Sequence, residues 1–163
     1  MSDVTFRTAW RKNDPDLIRD AKAFWQRIGL VITPEEMEKR ANDLCALAYA
    51  GDTVAAVSTA EPTLFHRLRT RLVYYRTVVA EEFRRQHIAS RLGLYSYREL
   101  GKWSLEHPEE KLMGLLLVFQ SHDYKGTRNL PNVSYLGMQV NIVGYTPEGD
   151  HIRVLWFDHA TLE

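Results

Sequence analysis

The fold is decided by residues 72–90, which read LVYYRTVVAEEFRRQHIAS. Residues 72–79 are rich in β-branched and aromatic side chains, and this composition predicts a β-strand. After a short turn, small and apolar residues recur at helical spacing from about His87 to His107. The stretch therefore predicts a strand that runs through a turn into a long amphipathic helix. The residues predicted on one face of that helix are Ala89, Leu92, Ser96, Leu100 and Trp103, flanked by Ile88 and Tyr95.

The turn has the features of an anion-binding site. A helix that starts directly after a strand presents unpaired backbone N–H groups and the positive end of its dipole. Arg84 and Arg85 bring positive charge to this helix start, and Gln86 adds a further donor. Ala89 and Ser90 are small enough to let a bulky phosphate approach. The alternative is a helix whose first turn is merely capped, with two arginines on its solvated flank.

Two common phosphate-binding motifs do not occur in the sequence. There is no G-x-x-x-x-G-K-[ST], and there is no G-x-G-x-x-G between a strand and a helix. Nucleotide hydrolysis and dinucleotide binding are therefore excluded as interpretations of this turn.

Alternation and turn signals predict the remaining elements, which together make a mixed α/β sheet. Before the stretch we predict a strand at 4–10 and then a helix that begins at an Asp14 cap and ends at Gly29. A second helix begins at the capping box of Thr33 and Glu36, with Met37, Ala41 and Leu44 facing inward. A hairpin of strands 45–50 and 53–60 follows, with Gly51 and Asp52 at its turn, and then a loop at 61–71. After the stretch we predict a central strand at 112–119 parallel to 72–79, an irregular stretch at 121–133, and a hairpin of 138–145 and 151–158.

Composition narrows the classes of protein. With 163 residues and 45% hydrophobic content, the chain is long enough for one core, so we expect a single domain over residues 1–163. Lys plus Arg and Asp plus Glu both number 21, so no global charge attracts nucleic acid or an anionic membrane. No stretch reaches the roughly 18 apolar residues of a membrane span. Since Cys45 is the only cysteine, we expect a soluble protein of the reducing cytoplasm.

Residues 84–89, RRQHIA, resemble the acyl-CoA loop of the GCN5-related N-acetyltransferase (GNAT) superfamily. In that family an Arg or Gln, two variable residues, a Gly, a variable residue and a Gly or Ala lie between a strand and a long helix. Arg84 and Ala89 match the first and last positions, and His87 replaces the middle glycine. We therefore expect an ordinary backbone conformation at His87, or an imidazole that faces the cofactor. The order of elements over the whole chain also fits this superfamily.

The resemblance implies the acyl-CoA N-acyltransferase fold, with acetyl-CoA as the acyl donor. The loop amides would hold the pyrophosphate of coenzyme A, and the backbone of the preceding strand would pair with its pantetheine arm. The cofactor-binding residues implied in this way are Val78, Val79, Ala80, Arg84, Arg85, Gln86, His87, Ile88, Ala89 and Ser90.

Family members usually carry Asn and Tyr in a helix between the fifth and sixth strands, and this chain departs from that pattern at 121–136. Asn129 and Asn132 are present, but Pro131 interrupts any helix. Tyr124 and Tyr135 are the nearby tyrosines that would protonate the departing thiolate. The alternative for each is a packed ring whose hydroxyl bonds to backbone.

Attack by an amine on a thioester needs a base, because an amine with a pKa of about 10 is mostly protonated at neutral pH. Glu61 is the candidate base, acting directly or through water, and His66 is the other titratable candidate. The alternative for Glu61 is a solvated carboxylate at the end of a strand. A backbone amide of the strand ending at Val79 would stabilise the tetrahedral oxyanion.

Other reactive side chains are given structural interpretations. Cys45 falls in an apolar strand, where a free cysteine is an inert small hydrophobe. The six histidines show no metal-ligand spacing, so we expect no required metal. Residues 65–71, FHRLRTR, form either a solvated connection or a basic surface that guides an anionic substrate or contacts nucleic-acid phosphates.

Three functions are compatible with these features. The first is transfer of an acetyl or longer acyl group from acyl-CoA to a primary amine of a small molecule, peptide or protein. The second is a catalytically weak acyl-CoA-binding or partner-binding module of the same fold. The third is a nucleic-acid-directed acyltransferase, against which the balanced net charge argues. The acceptor, the acyl length and the choice between monomer and homodimer stay open.

Overall fold

The computed structural model describes residues 3–30, 33–120 and 129–163. Within these ranges the protein has a mixed α/β structure of three α-helices and eight strands. In chain order the elements are β1 (Val4–Thr8), α1 (Pro15–Arg27), α2 (Pro34–Asn42), β2 (Leu44–Ala50), β3 (Thr53–Phe65), β4 (Thr70–Val79), α3 (Ile88–Glu106), β5 (Leu112–Phe119), β6 (Asn132–Tyr135), β7 (Met138–Tyr145) and β8 (His151–Trp156).

The strands form one mostly antiparallel sheet in the order β1-β2-β3-β4-β5-β8-β7-β6. The ladder between β4 and β5 is parallel and pairs Tyr74 with Leu116. The helix α3 makes the crossover between these two strands, as a parallel pair requires. The predicted central position of the 112–119 strand, parallel to the strand before α3, is therefore confirmed.

The chain divides into two compact units, the first being Met1–Glu61 with Arg76–Leu100 and the second Pro62–Tyr75 with Gly101–Glu163. The prediction of one domain over residues 1–163 stays a prediction. In the first unit, the buried core includes Phe24, Trp25 and Leu47. In the second unit, Leu72, Leu116 and Val154 are buried together, with further apolar side chains packed against them.

The helix starts follow the capping signals in the sequence. The carboxylate of Asp14 accepts a hydrogen bond from the amide of Asp16 at 2.9 Å, which caps α1. At α2, the amide of Glu36 donates to the hydroxyl of Thr33 at 3.2 Å, and the amide of Thr33 donates to the Glu36 carboxylate at 3.1 Å. Both predicted caps are therefore confirmed, and Gly29 lies just beyond α1 with a φ of 71°.

The predicted loop at 61–71 is wrong over its first half, because β3 continues to Phe65. The β2–β3 ladder reaches only the pair Leu44–Thr59, where β2 begins. Pro62 lies beyond that pair and so removes no donor from this ladder. The turn is a short 3-10 segment, His66–Leu68, followed by Arg69 with a φ of 49°.

A strand that was not predicted occupies part of the irregular stretch. Residues Asn132–Tyr135 form β6, which pairs with β7 through a two-residue turn. Leu136 and Gly137 have φ values of 50° and 81°, and such values at both central positions are typical of a tight hairpin. Leu-Gly is not among the preferred dipeptides for this turn, so the local sequence did not predict a hairpin here.

The buried face of α3 is displaced from the predicted one. The buried residues are Ile88, Leu92, Ser96, Leu100 and Ser104. Ala89 is exposed and Trp103 is half-buried, so these two were wrongly assigned to the inner face. Leu44 is also buried in β2 rather than in α2.

No helix in the described ranges is long and apolar enough to cross a membrane.

Candidate functional site

A single 3-10 turn, Glu81–Phe83, joins β4 to the segment before α3. The amide of Ala80 donates to the carbonyl of Ala55 on β3 at 3.0 Å, which anchors the end of β4. Inside the turn, the amide of Phe83 donates to Ala80 at 3.0 Å and that of Arg84 donates to Glu81 at 3.1 Å. These bonds place Arg84 at a defined point between strand and helix.

Two residues of the turn have left-handed backbone angles. The φ of Arg85 is 64° and the φ of His87 is 57°. Glycine adopts this region at no steric cost, and histidine is among the few other residues enriched there. The ordinary backbone conformation expected at His87 is therefore wrong, because the chain keeps the geometry that a glycine would adopt.

The start of α3 leaves a set of backbone donors outside the helical bonding pattern. The amide of Arg91 donates to the carbonyl of His87 at 3.1 Å, so the amides of Ile88, Ala89 and Ser90 precede that bond. The Ile88 side chain is 2% exposed and holds the helix start against the core, whereas Ala89 is exposed. Free amides and the positive end of a helix dipole are the groups that bind an anion at a helix start, so this segment is the candidate anion site.

The side chains around this site lie in solvent, and two of them, Arg84 and Arg85, are positively charged. Arg84, Arg85, Gln86 and His87 are all exposed. Within the described part of the chain, neither Arg84 nor Arg85 forms a salt bridge, so their charge is available to an anion. The backbone of Val78 and Val79 directly precedes the turn, and both side chains are half-buried. The ten predicted cofactor-binding residues lie at the end of β4, in the turn and at the start of α3, and their role in binding a cofactor stays a prediction.

Glu61 lies within β3 rather than at the end of a strand, and its side chain is 37% exposed. The Nζ of Lys39 in α2 is 3.6 Å from its carboxylate. Asp43 is a second carboxylate nearby, and its Oδ2 is buried without a hydrogen-bond partner among the described residues. Burial, and after it the charge of Glu61, raises the pKa of Asp43. Sequence reasoning missed Asp43, which follows α2 directly and shows no motif.

The other acid and base candidates belong to the second unit or lie outside the described residues. Tyr135 ends β6 at the hairpin turn, with 38% of its surface exposed, and it belongs to the second unit. Tyr124 lies outside the described residues. His66 is exposed on the 3-10 turn that follows β3 and also belongs to the second unit, whereas Glu61 belongs to the first.

A buried cysteine and a serine–histidine pair have structural roles. Cys45 is fully buried, and this burial raises the pKa of its thiol to about 12, so no thiolate forms at neutral pH. The Ser104 hydroxyl lies 2.9 Å from Nε2 of His159, which resembles a nucleophile and base. However, the same hydroxyl donates its one proton to the carbonyl of Leu112, so it must accept from His159.

Within the described ranges, no three His, Cys, Asp or Glu side chains gather where they could hold a metal.

Comparisons with known proteins agree with this geometry at the level of the fold. No protein-family model matches the sequence, and no curated protein matches it. The GNAT-family acetyltransferase from Streptococcus pneumoniae has 18% identity and a TM-score of 0.53, covering 94% of this chain and 97% of that one. Arabidopsis thaliana NAA60 in complex with acetyl-CoA has 16% identity and a TM-score of 0.53, covering 94% and 98%.

A third similar structure is the loading GNATL domain of CurA from Lyngbya majuscula. It has 12% identity and a TM-score of 0.59, covering 95% of this chain and 98% of that one. At such identities the likeness shows the fold alone. The chain has the GNAT acyl-CoA N-acyltransferase fold, as its sequence resemblance implied.

Proposed function

We propose that the protein transfers an acetyl group from acetyl-CoA to a primary amine of a small molecule, peptide or protein, by direct attack in a ternary complex. The observation that carries this proposal is the turn before α3. In this turn Arg85 and His87 are left-handed, and the amides of Ile88 to Ser90 precede the first helical bond. Arg84 and Arg85 lie beside these amides and form no salt bridge with any residue that the structure describes. Neighbours of the same fold are acetyltransferases, and one was crystallised with acetyl-CoA.

In this proposal the pyrophosphate of coenzyme A binds the amides at the start of α3, with Arg84 and Arg85 neutralising its charge. The backbone of Val78 and Val79 pairs with the pantetheine arm. The amide of Ala80 already donates to Ala55, so the donor that stabilises the oxyanion must come from an earlier residue of β4.

Glu61 is the proposed base, since it is a half-exposed carboxylate on β3 with a second carboxylate, Asp43, beside it. It would remove a proton from the amine directly or through water. Either Tyr124 or Tyr135 remains the proposed acid. Replacing Glu61 with Gln should lower kcat and remove one limb of the pH profile, while the Kd for acetyl-CoA stays unchanged. An unaltered rate and pH profile would exclude Glu61 as the base.

The proposed activity is tested by thiol release from acetyl-CoA over a panel of amines, amino acids and peptides. An Arg84→Glu variant should weaken binding of acetyl-CoA by about tenfold or more, because it reverses a charge at a phosphate site. Arg19→Glu, an exposed change of the same charge on α1, is the matched control and should bind as the wild type does. If wild-type protein does not bind acetyl-CoA, the proposal fails.

The second candidate is a module that binds acyl-CoA without turnover. It is favoured by the position of Tyr135, which lies exposed at a hairpin turn rather than in a helix after β5. Binding of acetyl-CoA by calorimetry, with no thiol released for any amine in the panel, would select this candidate over the enzyme.

A further inference from the structure

Arg27, the last residue of α1, lies against the 3-10 turn before α3. Its guanidinium forms a salt bridge with the carboxylate of Glu82, which is 55 residues away in the chain. It also donates from Nη2 to the carbonyl of Val54 at 2.6 Å, and its Cζ lies 5.6 Å from the ring centre of Phe24. Arg27 therefore connects the end of α1, the start of β3 and the turn.

Glu82 is a negative charge close to the anion site. It lies two residues before Arg84, and its carbonyl is 3.5 Å from the side-chain nitrogen of Gln86. Its own backbone amide, and after it Arg27, lowers the pKa of Glu82, so the carboxylate is ionised at neutral pH. An unpaired carboxylate here would repel a pyrophosphate and oppose Arg84 and Arg85.

We propose that Arg27 is a positioning residue for the turn: as the counter-ion of Glu82, it keeps that carboxylate from opposing an anionic cofactor at the start of α3. This inference rests on the proposed binding of acyl-CoA there. The contacts of Arg27 with Phe24 and Val54 hold the guanidinium in place, so the charge is delivered at a fixed point rather than by a freely moving side chain.

The test is a calorimetric measurement of the Kd for coenzyme A in four proteins at low salt: wild type, Arg27→Gln, Glu82→Gln and the double variant. Arg27→Gln should raise the Kd about three- to fivefold, the upper range for an exposed ion pair. Glu82→Gln should leave the Kd unchanged or lower it. The double variant should recover most of the loss, and all differences should shrink in about 0.5 M salt.

Two matched controls separate pairing from general charge. Arg19→Gln removes the same charge from the same helix, at a side chain that is 69% exposed, and should not change the Kd. Glu81→Gln combined with Arg27→Gln removes the neighbouring exposed carboxylate and should recover less than the Glu82 combination does. A double variant as weak as Arg27→Gln alone would assign Arg27 a purely structural role and overturn the inference.

The failure of this inference differs from that of the proposed function. If wild-type protein binds coenzyme A and Arg27→Gln binds it equally well, Arg27 has no positioning role. If the wild type does not bind coenzyme A, the proposed function fails first. The thermal unfolding temperature of each variant shows whether a rise in its Kd follows from loss of folding.

Discussion

His87 allows the backbone geometry of the turn to be tested separately from its side chain. The φ of His87 is 57°, where a residue with a Cβ is disfavoured by about 1–2 kcal/mol relative to glycine. Glycine loses more chain entropy on folding, which offsets about 0.5–1 kcal/mol of that advantage. The net preference for glycine over alanine is therefore about 0.75 kcal/mol, the centre of a range of about 0–1.5 kcal/mol. We predict that His87→Gly has a larger free energy of unfolding than His87→Ala by this amount.

The assay is urea unfolding of both variants, since both lack the imidazole and its contacts cancel in the difference. Gln86 provides the control pair because its φ is not positive. There, alanine should be more stable than glycine by about 0.5–1 kcal/mol, so the sign reverses between adjacent positions. The same sign at both positions would refute the left-handed geometry at His87.

The same variants decide whether the imidazole contacts the cofactor. If backbone amides carry the binding, His87→Gly should bind coenzyme A within about twofold of the wild type, because the turn keeps its shape. If the imidazole itself faces the pyrophosphate, His87→Gly and His87→Ala should both weaken binding to the same extent. Calorimetric Kd values for the two variants and the wild type distinguish these outcomes.

Three further predictions concern packing and titration. Gly114→Ala should lower the free energy of unfolding by about 1–3 kcal/mol, because the added Cβ would lie 2.4 Å from the carbonyl oxygen of Leu155. The control is Gly93→Ala, whose added Cβ would have no atom within 4 Å, and it should be neutral or stabilising in the same urea assay. Cys45 should not react with a thiol reagent at about pH 8 until the protein is unfolded, since burial raises its pKa to about 12, and stoichiometric labelling of folded protein would contradict this. Burial raises the pKa of Asp43 in the folded state, so ionisation of Asp43 lowers the stability of the protein as the pH rises through that pKa. Asp43→Asn should therefore raise the Tm more at about pH 8 than at about pH 4, and equal shifts of Tm at both pH values would contradict the raised pKa.

Features that depend on a few neighbouring residues could be predicted from the sequence. The caps at Asp14 and Thr33 were correct because the side chain and the amide it accepts from are at most three residues apart. The strand, turn and helix around Arg84 were correct because side-chain composition and helical spacing act along one segment. The ten predicted cofactor-binding residues lie in this segment, and their binding role stays a prediction.

Features that depend on distant partners were decided only by the tertiary structure. Glu61 lies within a strand because β3 continues past the start of β2, and strand length depends on sheet neighbours rather than on local propensity. Asp43 meets Glu61, and Arg27 meets Glu82, only after chain segments far apart in sequence pack together.

By itself the sequence determined the order of elements other than β6, and the strand, turn and helix proposed to bind an anion, because both follow from local propensity and from the free donors at a helix start. The tertiary structure alone decided the backbone angle at His87 and the counter-ion of Glu82. A left-handed residue other than glycine persists only where the surrounding contacts hold it, and a counter-ion 55 residues away requires that α1 and the turn have already packed together.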